Sequence, residues 1–132
     1  MKKLRERLER ELARATDRLD QMTRGAREES AGATANPYGD EADEIVASEE
    51  REMRFGARQL LVERVIRIQA ALQRLNDGDY GLCVECGQPI APARLRALPE
   101  VATCIRCQDR RERLGRRQIE EVGAAGRTFR KN

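Results

Sequence analysis

The chain has 132 residues, of which 37% are charged and only 3% aromatic, with no Trp and no His. So little aromatic mass excludes a large globular core, and a chain without His or a Gly-rich phosphate loop lacks the usual equipment of an enzyme. The net charge of +3 is too small to imply a nucleic-acid partner by itself, and no apolar run approaches the length of a membrane span.

The first residues, Met1-Lys2-Lys3-Leu4-Arg5-Glu6, begin like a signal peptide but continue with charges rather than an apolar stretch, so an unexported, cytoplasmic protein is expected. Leu4, Leu8, Leu12, Ala15, Leu19, Met22 and Ala26 then recur in steps of four and three, which draws one narrow apolar stripe along a helix over 4–26. This regularity argues against disorder, the competing reading of so polar a chain. From Ser30 to Gly39 the pattern gives way to Gly, Pro and Asn, a loop. A second helix is predicted to about Leu75, its stripe formed by Met53, Ala57, Leu61, Val65, Ile68, Leu72 and Leu75. Glu50–Arg54 and Glu63–Arg67 set an acid four residues before a base, the favourable order. Two similar stripes joined by one polar loop predict an antiparallel coiled-coil hairpin. Gly56, in mid-helix, predicts a local bend or a close helix contact, and Gly78 a left-handed helix terminator.

The start of the second helix carries Asp40-Glu41-Ala42-Asp43-Glu44, with Glu49, Glu50 and Glu52 close behind. Capping accounts for one or two of these acids, with Asp40 as the N-cap and the others facing the positive end of the helix dipole. The full cluster includes like charges at i,i+3 and i,i+4, which destabilise a helix. A functional acidic tip is therefore the second reading, compatible with the first.

Cys83-Val84-Glu85-Cys86 and Cys104-Ile105-Arg106-Cys107 are two CxxC pairs separated by 17 residues, with no cysteine left over. Each pair turns two thiolates to one side of a tight loop, and two such knuckles complete a tetrahedral sulfur shell suited to one structural Zn²⁺. Redox disulfides and a rubredoxin-like iron site are the weaker alternatives. Arg94 and Arg106 are expected to help offset the net negative charge of four thiolates on one zinc. A short basic helix from Gln108 to about Val122 follows, and then a tail.

The string Asp79-Tyr80-Gly81-Leu82-Cys83-Val84-Glu85-Cys86-Gly87, with Ile90, Arg94-Leu95, Ala97, Pro99 and Cys104-Ile105-Arg106-Cys107, resembles the DksA/TraR family of four-cysteine zinc proteins. The resemblance runs back through the second helix, where Asp40 and Asp43 fall on the family's paired aspartates, and covers about residues 36–110. It implies a mainly α fold: a helical-hairpin coiled coil at 1–77 with loop and acidic tip at about 30–44, a treble-clef-like zinc module with its C-terminal helix at 78–122, and a flexible tail at 123–132. It also implies a monomeric, non-enzymatic transcription factor that binds bacterial RNA polymerase and inserts the coiled coil, tipped by Asp40 and Asp43, into the secondary channel. Ile45 departs from the family's alanine near the tip. Of the basic positions that hold guanosine tetraphosphate in responsive members, Arg67 is basic here whereas Leu60, Leu98 and Gln108 are not, so polymerase binding is the better-supported expectation than response to that nucleotide.

Two other functions compete. The Cys spacing followed by Arg110, Arg111, Arg113, Arg116 and Arg117 also resembles a GATA-type DNA-binding finger. Asp109, Glu112, Glu120 and Glu121 dilute that charge, so sequence-specific DNA binding is not expected. A coiled-coil adaptor pairing its stripe with another chain is the third reading.

Overall fold

Four helices make up the described chain: α1 (Lys2–Gly32), α2 (Glu41–Asp77), α3 (Pro92–Ala97) and α4 (Ile105–Thr128). The computed structural model describes residues 1–32 and 39–128. The mainly α class expected from the sequence is what forms. Among the described residues there is no strand, only an isolated antiparallel bridge between Leu82 and Pro89. No helix among them is long and apolar enough to cross a membrane. The chain divides into two compact units, Met1–Gly78 and Asp79–Asn132.

The first unit is the pair α1 and α2. Leu8 and Ala15 are buried on α1, with Leu4, Leu12, Leu19 and Met22 half-buried along the same stripe. On α2 the buried residues are Ile68, Ala71 and Leu75, flanked by half-buried Leu61, Val65 and Leu72. The helices pack against each other. Glu11 bridges them: its Oε1 takes a hydrogen bond from Arg7 at 3.0 Å and its Oε2 takes one from Arg64 of α2 at 3.2 Å.

The stripe of α2 is only partly used. Met53, 75% exposed, and Ala57, also exposed, were expected to be interfacial. Ala57 instead borders an open hollow that Arg14, Arg18 and Met22 of α1 line from the other side. Gly56 makes no close helix contact either, for a Cβ placed there would meet nothing within 4 Å.

Helix boundaries also move. Helix α1 continues past the end of its stripe at Ala26 to Gly32, because Arg, Glu and Ala sustain a helix without tertiary contacts. The expected loop at Ser30–Gly39 otherwise lies largely outside the described residues. Helix α2 ends as expected: Gly78 takes φ +81°, and its N–H donates to the carbonyl of Arg74. Only a residue without a Cβ adopts that left-handed turn at no cost.

Helix α4 begins at Ile105 rather than Gln108 and runs to Thr128 rather than stopping near Val122. The second CxxC knuckle opens directly into its first turn. The expected tail at 123–132 is therefore helical as far as Thr128, Ala124 and Ala125 helping to offset Gly123, and its last residues, 129–132, lie outside the described part.

The second unit has a core of Cys83, Ile90 and Cys107, with Leu95, Val101 and Cys104 packed on it. So small an apolar core cannot fold 50 residues by burial alone. Tyr80 donates its hydroxyl to the carbonyl of Pro99 at 2.8 Å, tying the entry of the unit to the segment after α3.

Candidate metal centre and acidic tip

The first knuckle is built by backbone hydrogen bonds around Cys83. Its N–H donates to the carbonyl of Gln88 at 2.8 Å, and its carbonyl accepts from Gly87 N–H at 2.9 Å. Gly87 sits at φ +72°, which lets the chain turn back around the sulfur. Val84 N–H reaches the carbonyl of Ala102 at 2.9 Å, pinning this knuckle to the segment that leads into the second. The second knuckle is the first turn of α4, where Gln108 N–H donates to the carbonyl of Cys104 at 3.0 Å.

These turns bring together the four cysteines singled out in the sequence. Cys83, Cys86, Cys104 and Cys107 place their sulfurs within 4.8 Å of one another. None is in a disulfide. The Cys86 and Cys104 sulfurs stand 3.8 Å apart, and a tetrahedron of Zn–S bonds of about 2.3 Å has edges of about 3.8 Å. The arrangement therefore fits one zinc ion held by all four sulfurs. Four filled positions suit a structural ion, not one that binds substrate.

The electrostatics point the same way. Backbone N–H groups of Cys86 and then Cys104 pull the Cys83 thiol down to about 6, and the N–H of Cys107 lowers that of Cys104. Burial, then the neighbouring sulfurs, pushes Cys107 up. The turns thus favour thiolates, but crowded sulfurs cannot all ionise unless a cation sits among them. Zinc supplies that charge.

Arg94 and Arg106 both line a groove of about 500 Å³ beside the cysteines, which also takes in Gln88, Pro89, Ile105 and Arg110. Arg94 is anchored there by donating from Nε to the carbonyl of Thr103 at 3.2 Å. The sequence reading missed Arg110 in this groove and the ion pair of Arg111 with Glu85, which ties α4 to the first knuckle. The i,i+4 spacing from Arg106 to Arg110 was the available signal for the groove. The Glu85 partner, 26 positions away, left none.

At the start of α2, Asp40 is the N-cap residue, with φ −67° and ψ 147°, and its carbonyl accepts from Asp43 N–H at 3.0 Å and from Glu44 N–H at 3.2 Å. Its side chain makes no capping hydrogen bond. Asp40, Glu41, Asp43 and Glu44 are all exposed, as is Ile45. The carboxylates remain available to a partner.

Arg67 lies exposed on α2, its Nη1 3.9 Å from Glu63 Oε2. The other expected pair takes a different form, Arg54 donating from Nε to the backbone carbonyl of Glu50 at 3.3 Å. Gln108 is occupied by its neighbours, accepting from the Thr103 hydroxyl at 3.1 Å and donating to Glu112 at 3.0 Å.

Paired CxxC knuckles with the second one opening a helix define a four-cysteine zinc-finger protein. Residues 78–113 match the family model of the prokaryotic dksA/traR C4-type zinc finger. The RNA polymerase-binding transcription factor DksA of Caulobacter vibrioides is 36% identical over 76 residues, which cover 58% of this chain and 54% of that protein. The protein of the same name from Escherichia coli K12 is 27% identical over 92 residues, 70% of this chain and 58% of that one. The solved structure of transcription factor DksA2 from Pseudomonas aeruginosa aligns over 86% of this chain and 83% of its own, with a TM-score of 0.66 and 29% identity. Residues 78–113 thus carry the four-cysteine zinc finger of the DksA/TraR family, and the matched part of the chain spans little more than half the length of these curated relatives.

Proposed function

We propose that the chain is a transcription factor that binds RNA polymerase directly and acts by placing the acidic end of its helical hairpin in the secondary channel, altering promoter complexes at initiation. The observation that carries this reading is the exposed, uncapping carboxylate of Asp40 with Asp43 three residues on, at the far end of α2 from the zinc module's attachment at Gly78. A helix of 37 residues spans about 55 Å at about 1.5 Å per residue, long enough to carry charge deep into a narrow opening. Inside a protein-lined channel, water is scarce and the aspartates would accept strengthened hydrogen bonds from polymerase side chains or backbone.

The named relatives support the choice of partner, and the closed sulfur shell supports a role for the metal in shape rather than chemistry. Zinc, when bound, would clamp the two knuckles and supply folding free energy to the module. Nothing in this reading requires an enzymatic step, a second copy, or export from the cytoplasm. This reading gives Arg67 a polymerase contact rather than a nucleotide contact, since Leu60 and Leu98 are apolar and Gln108 is held by Thr103 and Glu112.

The test is co-purification with core RNA polymerase alongside a DNA shift assay at the same, physiological salt. Retention of the chain on polymerase with little DNA affinity is expected. Sequence-selective binding to duplex DNA without polymerase would favour the GATA-like alternative instead.

A further inference from the structure

Three apolar residues of α2 recur at a step of seven: Val46, Met53 and Leu60, which are 53%, 75% and 66% exposed. Helical geometry puts residues at this step on one face, here a seam about 21 Å long. Single exposed apolar residues are ordinary, but a seven-residue repeat is the pattern by which helices pair. Beside the seam, Ala57 and Leu60 border the hollow of about 470 Å³ that Arg14, Arg18 and Met22 line from α1. The guanidinium groups of Arg14 and Arg18, one turn apart, make no hydrogen bond or ion pair among the described residues. The other end of the seam carries Asp40, Glu41, Asp43 and Glu44, all exposed. One helix face thus holds an apolar seam, with unpaired acids at one end and unpaired bases at the other.

We propose that this face pairs, weakly and antiparallel, with the same face of a second copy of the chain, so that the acidic start of α2 in each copy lies over the arginine hollow of the other. The seam is its own complement about Met53. Val46 and Leu60 stand equally far before and after it, so a two-fold axis there sets each against the other. Asp43 then falls at the turn of Arg64, and Glu49 lies against Gly56 and Ala57, which leave it room to stay hydrated. Charge decides the direction. A parallel pair would stack the two acidic starts on each other, whereas the antiparallel pair brings them to Arg14, Arg18 and Arg64. So short a seam gives a weak, concentration-dependent pair. On the function argued above, pairing covers Asp40 and Asp43 and withholds the tip from polymerase, which makes the pair a reserve form.

The experiment is sedimentation equilibrium of the zinc-loaded full chain from micromolar to millimolar concentration. It compares the parent, Met53→Glu, Phe55→Glu, and Arg14→Glu combined with Arg18→Glu. Phe55 is as open to solvent as the seam residues, at 62% exposure, but lies on the opposite side of the helix from Met53. The parent should dimerise reversibly. Met53→Glu should weaken the dimer by about tenfold or more, because each new carboxylate meets its own copy on the two-fold axis. The arginine variant should weaken it as much, while Phe55→Glu stays within about twofold of the parent. A parent that is monomeric at millimolar concentration would overturn the pairing, and if Met53→Glu then weakened polymerase binding, the face would belong to polymerase instead. Equal losses from Met53→Glu and Phe55→Glu would overturn the seam, and indifference to the arginines would overturn its antiparallel sense. Added core polymerase should convert the dimer to complexes with one copy each, and two copies on one polymerase would overturn the reserve role. A parent that dimerises but does not bind polymerase would support the pairing and overturn the functional reading alone.

Discussion

Arg64 on α2 donates from Nη2 to Oε2 of Glu11 on α1 at 3.2 Å, joining residues 53 positions apart in the sequence. Arg7, one turn earlier on α1, holds the other oxygen of Glu11 and so orients the carboxylate for Arg64. The bridge is a guide rather than a support. Arg64 is 45% exposed, so solvent screens the pair, and Glu11→Gln should lower stability in urea by less than about 1 kcal/mol.

Apolar burial at the base of the hairpin should matter far more. Ile68 is fully buried whereas Met53 is 75% exposed. Ile68→Ala should cost about 2–5 kcal/mol, and Met53→Ala less than about 0.5 kcal/mol. Comparable losses in urea titrations of the two variants would mean that the stripe is closed along its whole length.

The contrast between these residues marks how far the sequence was legible. Leu and Ala at steps of three and four identified both helices and their pairing, since periodicity records which side of a helix is apolar. It does not record what stands opposite. Met53 and Ala57 continue the stripe of α2, yet both stay exposed, Ala57 beside an open hollow lined by Arg14, Arg18 and Met22 of α1. The cysteines were fully legible because metal ligation demands a fixed residue type at a fixed spacing. The Arg111–Glu85 pair was not, because only the folded module brings those residues together.

Gly78 should resist substitution. Its φ of +81° and its N–H bond to Arg74 end α2 before the zinc module begins. No atom lies within 4 Å of a Cβ placed there, so the penalty of Gly78→Ala is backbone strain alone, about 1–2 kcal/mol. A thermal melt of the variant that matched the parent would contradict this.

Removing zinc should unfold residues 79–107 selectively. The buried core there amounts to Cys83, Ile90 and Cys107, too little to hold the knuckles once their sulfurs lose the ion. Amide hydrogen exchange before and after chelation should show protection lost at Cys83, Val84, Gly87 and Ile90, whose N–H groups are bonded within the module. Unchanged protection at these amides, or an unchanged circular dichroism spectrum, would place the folding energy elsewhere.

The most direct measurement is promoter-complex lifetime and initiation in a purified transcription reaction with Asp40→Asn and Asp43→Asn combined. Both carboxylates are exposed and neither side chain is needed to cap α2, so the variant should fold and bind core polymerase as the parent does. It should lose the parent's effect on initiation. A double variant that binds polymerase and regulates initiation as strongly as the parent would contradict the assignment of the acidic tip.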